Sequence, residues 1–139
     1  MTTEGIVPDV IKSGSVEDYV KAMKSLARVK SKTLVISFAM LERNLSHRTN
    51  ALNSLLEEIG DRVIEWKTLQ TPQVTLQTKQ GSADDKLCLL SSICFQMEWN
   101  HRLIYHRVKP KGRGYFVIEI EVEEPNGSKT IPNVKSAFI

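Results

Sequence analysis

Residues 38–66 read FAMLERNLSHRTNALNSLLEEIGDRVIEW, and their large apolar members recur in steps of three and four. Phe38, Leu41, Leu45, Leu52, Leu55, Ile59 and Trp66 share this stepping, and Arg48 and Arg62 hold its two non-apolar places. A repeat near 3.5 residues keeps one stripe of a helix turned toward a partner helix, the seam of a helix pair or coiled coil. The expectation is one long helix from about Thr33 to Gly60 or beyond. Such a stripe needs burial against a second copy of the chain or a helical protein partner. Phe38, Leu41, Leu45, Leu52, Leu55 and Ile59 are the expected oligomer interface. Arginines within a seam select register through acids on the facing helix, here Glu57, Glu58 or Glu65. Gly60 is also a plausible helix stop. If it acts as one, Arg62 leaves the seam and residues 62–69 are free to form a strand.

On the N-terminal side of the stripe, Ser15 is a good N-cap and Asp18 follows it at close to capping-box spacing. Val16, Tyr19, Val20, Met23 and Ala27 then make one apolar helix face, with Lys21, Lys24 and Arg28 off it. Residues 1–14, which end near Ser13-Gly14, read as a flexible arm.

On the C-terminal side the period changes from helical to two. Ile93, Phe95, Met97 and Trp99 alternate with polar or small residues, and so do Phe116, Ile118, Ile120 and Val122. Both read as strands with one buried face. Asn100-His101 reads as a tight turn between the first of these and a strand at 102–108. Met97 would then face Ile104, and Phe95 would face His106. Pairing Val108 with Phe116 puts Ile104, His106, Val108, Phe116, Ile118 and Ile120 on one core face and leaves Leu103 and Val117 off it. Lys109–Gly114 reads as a loop, Asn126-Gly127 as a hairpin turn, and Val74–Lys79 as a weaker strand. A competing reading has Ser82, Asp84 and Asp85 cap a helix over residues 83–91 that passes through Leu87 and Leu90 toward Cys94.

The expected class is therefore α+β, with N-terminal helices bearing a heptad-like stripe followed by a small antiparallel β-meander. The chain has 139 residues, 41% hydrophobic and 25% charged, ordinary values for one globular domain. That domain is expected over 15–139, with a helical part at 15–60 and a β-rich part at 62–139. The first residues carry Glu4 and Asp9 and lack an apolar core, so no secretory leader is read there. No apolar run has the length to span a bilayer. The expectation is an intracellular chain, cytoplasmic or nuclear, with no membrane partner and with Cys88 and Cys94 as free thiols.

No motif names a reaction. A nucleophile elbow, a Gly-rich phosphate loop and a paired-carboxylate frame are all missing. Cys94, His101 and His106 match no zinc spacing, and a fourth ligand is lacking. The expectation is no enzyme, no cofactor and no metal. The charge pattern is more informative than its net value of +3. Residues 19–32 and 99–118 carry no acid. The first holds Lys21, Lys24 and Arg28. The second holds Arg102, Arg107, Lys109, Lys111 and Arg113 among Trp99, Tyr105, Tyr115 and Phe116. Cations neutralise phosphates and exposed aromatics stack on unpaired bases, so these eight residues are the candidate polyanion site. The leading expectation is a non-enzymatic assembly protein that oligomerises through its long helix and presents a β-head. The alternative is an RNA- or DNA-binding protein that uses the basic helix and hairpin.

Overall fold

The first helix, α1 (Val16–Ala27), starts where the Ser15 side chain accepts the Asp18 N–H. Its buried residues are Val16, Tyr19, Val20, Met23 and Ala27, the face that the helical spacing predicts. The computed structural model describes residues 6–7, 15–28, 47–62, 69–109 and 114–138. The chain is α+β. Among the described residues there are four helices, a four-stranded antiparallel sheet and two minimal two-stranded pairings.

The long stripe does not lie on one continuous helix. His47 is a non-helical N-cap residue (φ −138°, ψ 76°), and the second helix, α2, spans only Arg48–Glu57. His47 makes no side-chain cap. The turn after strand β6 (Tyr115–Glu123) supplies one instead. The Glu124 carboxylate accepts the Arg48 N–H at 2.9 Å and the Thr49 N–H at 2.8 Å. A carboxylate on the first free N–H groups satisfies helix donors and also complements the helix dipole. Arg48 is no seam residue: its guanidinium donates to the Glu123 carbonyl (2.7 Å) and lies over the Trp99 ring. Leu52, Leu55 and Ile59 are buried in the chain's own core, Leu52 completely. Phe38, Leu41 and Leu45 lie outside the described residues, as do 63–68, which include Trp66.

Gly60 is not the cap of α2. Glu58 ends that helix, and Gly60–Asp61 form β2, which pairs in parallel with β4 (Gln80–Gly81). Ile6–Val7 form β1, antiparallel to β3 (Leu69–Gln70), so part of the expected loose arm is fastened. The weak strand expected at Val74–Lys79 is instead a helix, α3 (Pro72–Thr78), with Thr71 accepting the Val74 N–H and Pro72 at its first turn. Proline fits that position because its missing N–H has no helical partner to lose.

The largest departure is α4 (Ala83–Gln96), a helix where Ile93–Trp99 reads as a strand. The competing capped helix is the one that forms, and it runs five residues past 91. Ser82 and Asp85 make a full capping box. Leu87 through Cys94 are all buried, because α4 is enclosed by α1, α3 and the sheet. A helix buried on every side has no polar stripe, and its short apolar run is indistinguishable by period from a strand. At its end, Glu98 adopts a left-handed conformation (φ 58°). The Trp99 N–H reaches the Cys94 carbonyl at 2.8 Å and the Glu98 N–H reaches that of Phe95 at 3.3 Å. This is a Schellman ending, made without glycine. The expected hairpin turn at Asn100-His101, and the pairings of Met97 with Ile104 and Phe95 with His106, therefore do not exist.

The sheet runs β5 (His101–Val108), β6, β7 (Lys129–Thr130), with β8 (Lys135–Phe138) pairing the first half of β6 on the β7 side. Ile118, Ile120 and Val122 of β6 are fully buried, as the alternation predicts. The β5–β6 register differs from expectation by one residue: Val108 faces Tyr115, and Arg107 faces Phe116. One step inverts a strand. Leu103, expected off the core, is its buried residue, and His106 is exposed. Gly127 (φ 88°) turns β6 into β7, with Asn126 Oδ1 accepting from Ser128.

Asp85 joins these layers. Its fully buried carboxylate accepts the Arg62 Nε–H (2.8 Å), the Gln70 N–H (2.7 Å) and the Ser82 N–H (2.8 Å). Asp85→Ala leaves three donors without this acceptor and should lower stability by about 3–5 kcal/mol, the cost of breaking a buried pair. Urea denaturation measures it, and a loss below about 1 kcal/mol, as for an exposed pair, would contradict the buried hub. Glu124→Ala should cost about 0.5–2 kcal/mol through the lost cap of α2, with a similar denaturant slope.

Candidate nucleic-acid interface

The two acid-free segments meet on β5. Successive strand residues point to opposite faces, so His101, Leu103, Tyr105 and Arg107 share the face turned toward the helices, and Arg102, Ile104, His106 and Val108 share the other. At the start of the first face, His101 packs edge-on against Phe95 of α4 (4.5 Å between ring centres, 80°). The Arg28 guanidinium lies 5.1 Å over the other partner in this stack, the Phe95 ring.

His101 is held from two sides. Its Nδ1 is 3.1 Å from the Trp99 carbonyl, which can only accept, so Nδ1 carries the proton of the neutral ring. Nε2 then accepts from the Ser91 hydroxyl at 2.9 Å. Burial lowers the His101 pKa below its usual 6.5, opposed by the Trp99 carbonyl and reinforced by the charges of Lys24 and Arg28. Arg28, the C-cap residue of α1, stands over Phe95 at the start of β5, and Lys24 lies one helical turn before it. A serine bonded to a neutral imidazole has the outline of a nucleophile and base. Ser91, however, is completely buried in α4, so a substrate has no access to its hydroxyl. The pair ties α4 to β5.

At the far end of the same face, Tyr105 is 40% exposed and meets Phe116 of β6 edge-on (5.9 Å, 76°). The Arg107 guanidinium lies 5.9 Å over the Phe116 ring. Lys109, exposed, follows. Gly114 faces this cluster so closely that a Cβ there would stand 2.6 Å from Lys109 Cγ and 2.9 Å from Arg107 Nε. The missing side chain of Gly114 is what lets Arg107 and Lys109 lie together over the returning strand.

The structure does not unite all eight expected cations. Arg102 lies on the opposite face and is paired with Glu121 (2.9 Å). Lys21 is exposed and loosely paired with Glu17 at 3.7 Å. Lys111 and Arg113 lie outside the described residues. Trp99 is buried under Arg48 rather than exposed beside the basic loop. Lys24, Arg28, Arg107 and Lys109 are thus the described cations that flank one strand face. Phe95, which reads from sequence as a strand residue, and Gly114, which reads as the end of a loop, seat Arg28 and Arg107; α4 places the first, and the register of β5 decides the side taken by Arg107.

The opposite face of the sheet is largely self-neutralised. Beside the Arg102–Glu121 pair, Lys129 binds Glu123 at 2.6 Å and His106 Nδ1 lies 3.6 Å from Glu119. Hydrogen bonds from Lys129 and then Asn100 hold the Glu123 carboxyl below the usual range. Asn100, His101, Arg102, Glu121, Glu123 and Lys129 line an open polar hollow of about 430 Å³, in which the two cations balance the two carboxylates. As for a metal, His101 and His106 fall on opposite faces of β5, and burial pushes the Cys94 thiol up to about 12. Among the described residues no group of three or more His, Cys, Asp or Glu side chains is placed to hold a metal ion. No described helix is long and apolar enough to cross a membrane. Comparison with known proteins found no matching family model, no matching curated protein and no matching solved structure.

The depressed His101 pKa fixes a sign for pH dependence. Below the unfolded value near 6.5 the unfolded chain takes up a proton that the folded chain resists. His101 therefore supports the fold fully above that pH and its contribution is lost as pH falls toward the lower folded value. His101→Gln should flatten the fall in stability between about pH 6.5 and 5. Denaturation midpoints at several pH values test this, and an unchanged slope in the variant would contradict the assignment.

Proposed function

We propose that this protein is a non-enzymatic nucleic-acid-binding module whose ligand runs past the outer edge of β5, from the Arg28 end to the exposed Tyr105–Lys109 end of its helix-side face. One observation carries the reading: two sequence segments without acids converge on one strand, with Lys24 and Arg28 at the His101 end and Arg107 and Lys109 at the other. From 101 to 109 that face extends ~26 Å at about 3.3 Å per residue. Cations at both ends of that length suit a polymeric anion better than a small one. The neutral His101 adds no charge but keeps the Arg28–Phe95 stack in place. Self-association through the stripe is less well supported, because Leu52, Leu55 and Ile59 are already enclosed by the chain's own core. Using them in a dimer would require the core to open.

Binding to heparin, RNA or DNA should weaken steeply as salt rises. Replacing Arg107 and Lys109 with Gln, or Lys24 and Arg28 with Gln, should each lower the log–log salt slope by about 1.4–1.8, since each phosphate contact contributes about 0.7–0.9. The fourfold variant should lose the sum if a single ligand spans both ends. Titration by fluorescence anisotropy reads these slopes. No detectable binding of any of the three at about 50 mM salt would sink the proposal.

A further inference from the structure

We infer that the ligand is single-stranded, and that Tyr105 is the platform on which one of its bases stacks. This rests on the polyanion reading above and deepens it. Among the described residues only two large apolar side chains are exposed, Tyr105 at 40% and Ile131 at 42%. Ile131 sits in the segment between β7 and β8. Tyr105 sits in the middle of the cationic strand face, two residues from Arg107 on the same side.

The ring is also held in place. Phe116 meets it edge-on, which fixes the angle of the tyrosine without occupying both of its faces. Phe116 is itself partly buried and lies under the Arg107 guanidinium. Arg107 and Lys109 then stand together on one side of the ring, where the phosphate next to a stacked base would pass. An aromatic platform with flanking cations binds unpaired bases of any sequence, because every base has a π-face. Duplex DNA or RNA keeps its bases stacked inside and offers such a ring only sugar and phosphate edges. The charge alone does not separate the two ligands; the exposed ring does.

An acidic protein segment would satisfy the cations equally well but does not carry a flat ring beside every charge, as a nucleotide strand does. A second copy of β5 is disfavoured by charge. Pairing it antiparallel about its centre sets Arg102 against Arg107 in each direction, and like charges placed opposite are destabilising.

The test uses the whole chain and four probes: a labelled oligopyrimidine of about 12 nucleotides, within the usual range for such grooves, its duplex, heparin and polyglutamate. The unmutated protein should bind the single strand more tightly than the duplex. Tyr105→Ala should weaken single-strand binding by roughly 5- to 150-fold, the loss of one stacked base, and leave heparin binding and the salt slope unchanged. Tyr105→Phe should retain the affinity, because the stack needs the ring and not the hydroxyl. Circular dichroism confirms that both variants fold. Equal affinity of Tyr105→Ala and the unmutated chain for the single strand overturns the stacking inference alone, as does equal binding of single strand and duplex. Polyglutamate bound as tightly as the single strand assigns the face to a protein ligand and overturns it too. Failure of every probe to bind removes the polyanion reading beneath it.

Discussion

A single buried carboxylate organises the helical half of the molecule. Asp85 lies at the N-terminus of α4, where helix N–H groups and the helix dipole favour negative charge. It closes the capping box with Ser82, accepts the Gln70 N–H beside β3, and pairs with Arg62 just beyond β2. Gln70 extends the network by donating from Nε2 to Thr75 Oγ1 and the Gln80 carbonyl, both at 3.0 Å. Gly81 belongs to the same site: a Cβ there would stand 2.9 Å from Thr75 and 3.0 Å from the Asp85 side chain. Burying a carboxylate is costly unless every lone pair finds a donor, and here the donors come from three separate segments. The short pairings β1–β3 and β2–β4 gain their order from this hub, since two-residue strands have little pairing energy of their own.

Glu124 plays the corresponding part for the sheet side. It sits at the end of β6, receives the first N–H groups of α2, and anchors its own turn through a backbone bond to Ser128 at 2.8 Å. The hydroxyls of Thr49 and Thr130 meet beside it. Asn53 of α2 accepts the Asn133 N–H at 2.7 Å, a second bond between the same two regions. Together these bonds fix where α2 begins. They also consume Arg48, which the heptad stepping would have placed in a helix seam.

With both halves anchored, the face of β5 follows from packing. Leu103 is drawn into the core opposite Ile120, and every other residue of the strand takes its side from that choice. Tyr105 and Arg107 follow Leu103 onto the helix side. Arg102 and His106 go to the face where Glu119 and Glu121 await them. The concentration of unneutralised cations on one side of β5 is thus a consequence of register rather than of composition.

By itself the sequence determined those elements whose partners are close along the chain. Ser15 and the 3.6-residue spacing settle α1 and its buried face. The strict alternation of Ile118, Ile120 and Val122 settles β6, and Asn126-Gly127 settles its turn, because a period or a turn conformation is a local property. The acid-free stretches that supply Lys24, Arg28, Arg107 and Lys109 were legible as well. Tertiary structure alone decided the rest. Whether Ile93–Trp99 is helix or strand depends on α4 being enclosed on every side, which erases the polar stripe that would reveal its period. The start of α2 depends on Glu124, whose carboxylate arrives from 75 residues away. The split of Arg102 from Arg107 depends on a one-residue register, set by the burial of Leu103 and leaving no mark in the order of charges along the strand.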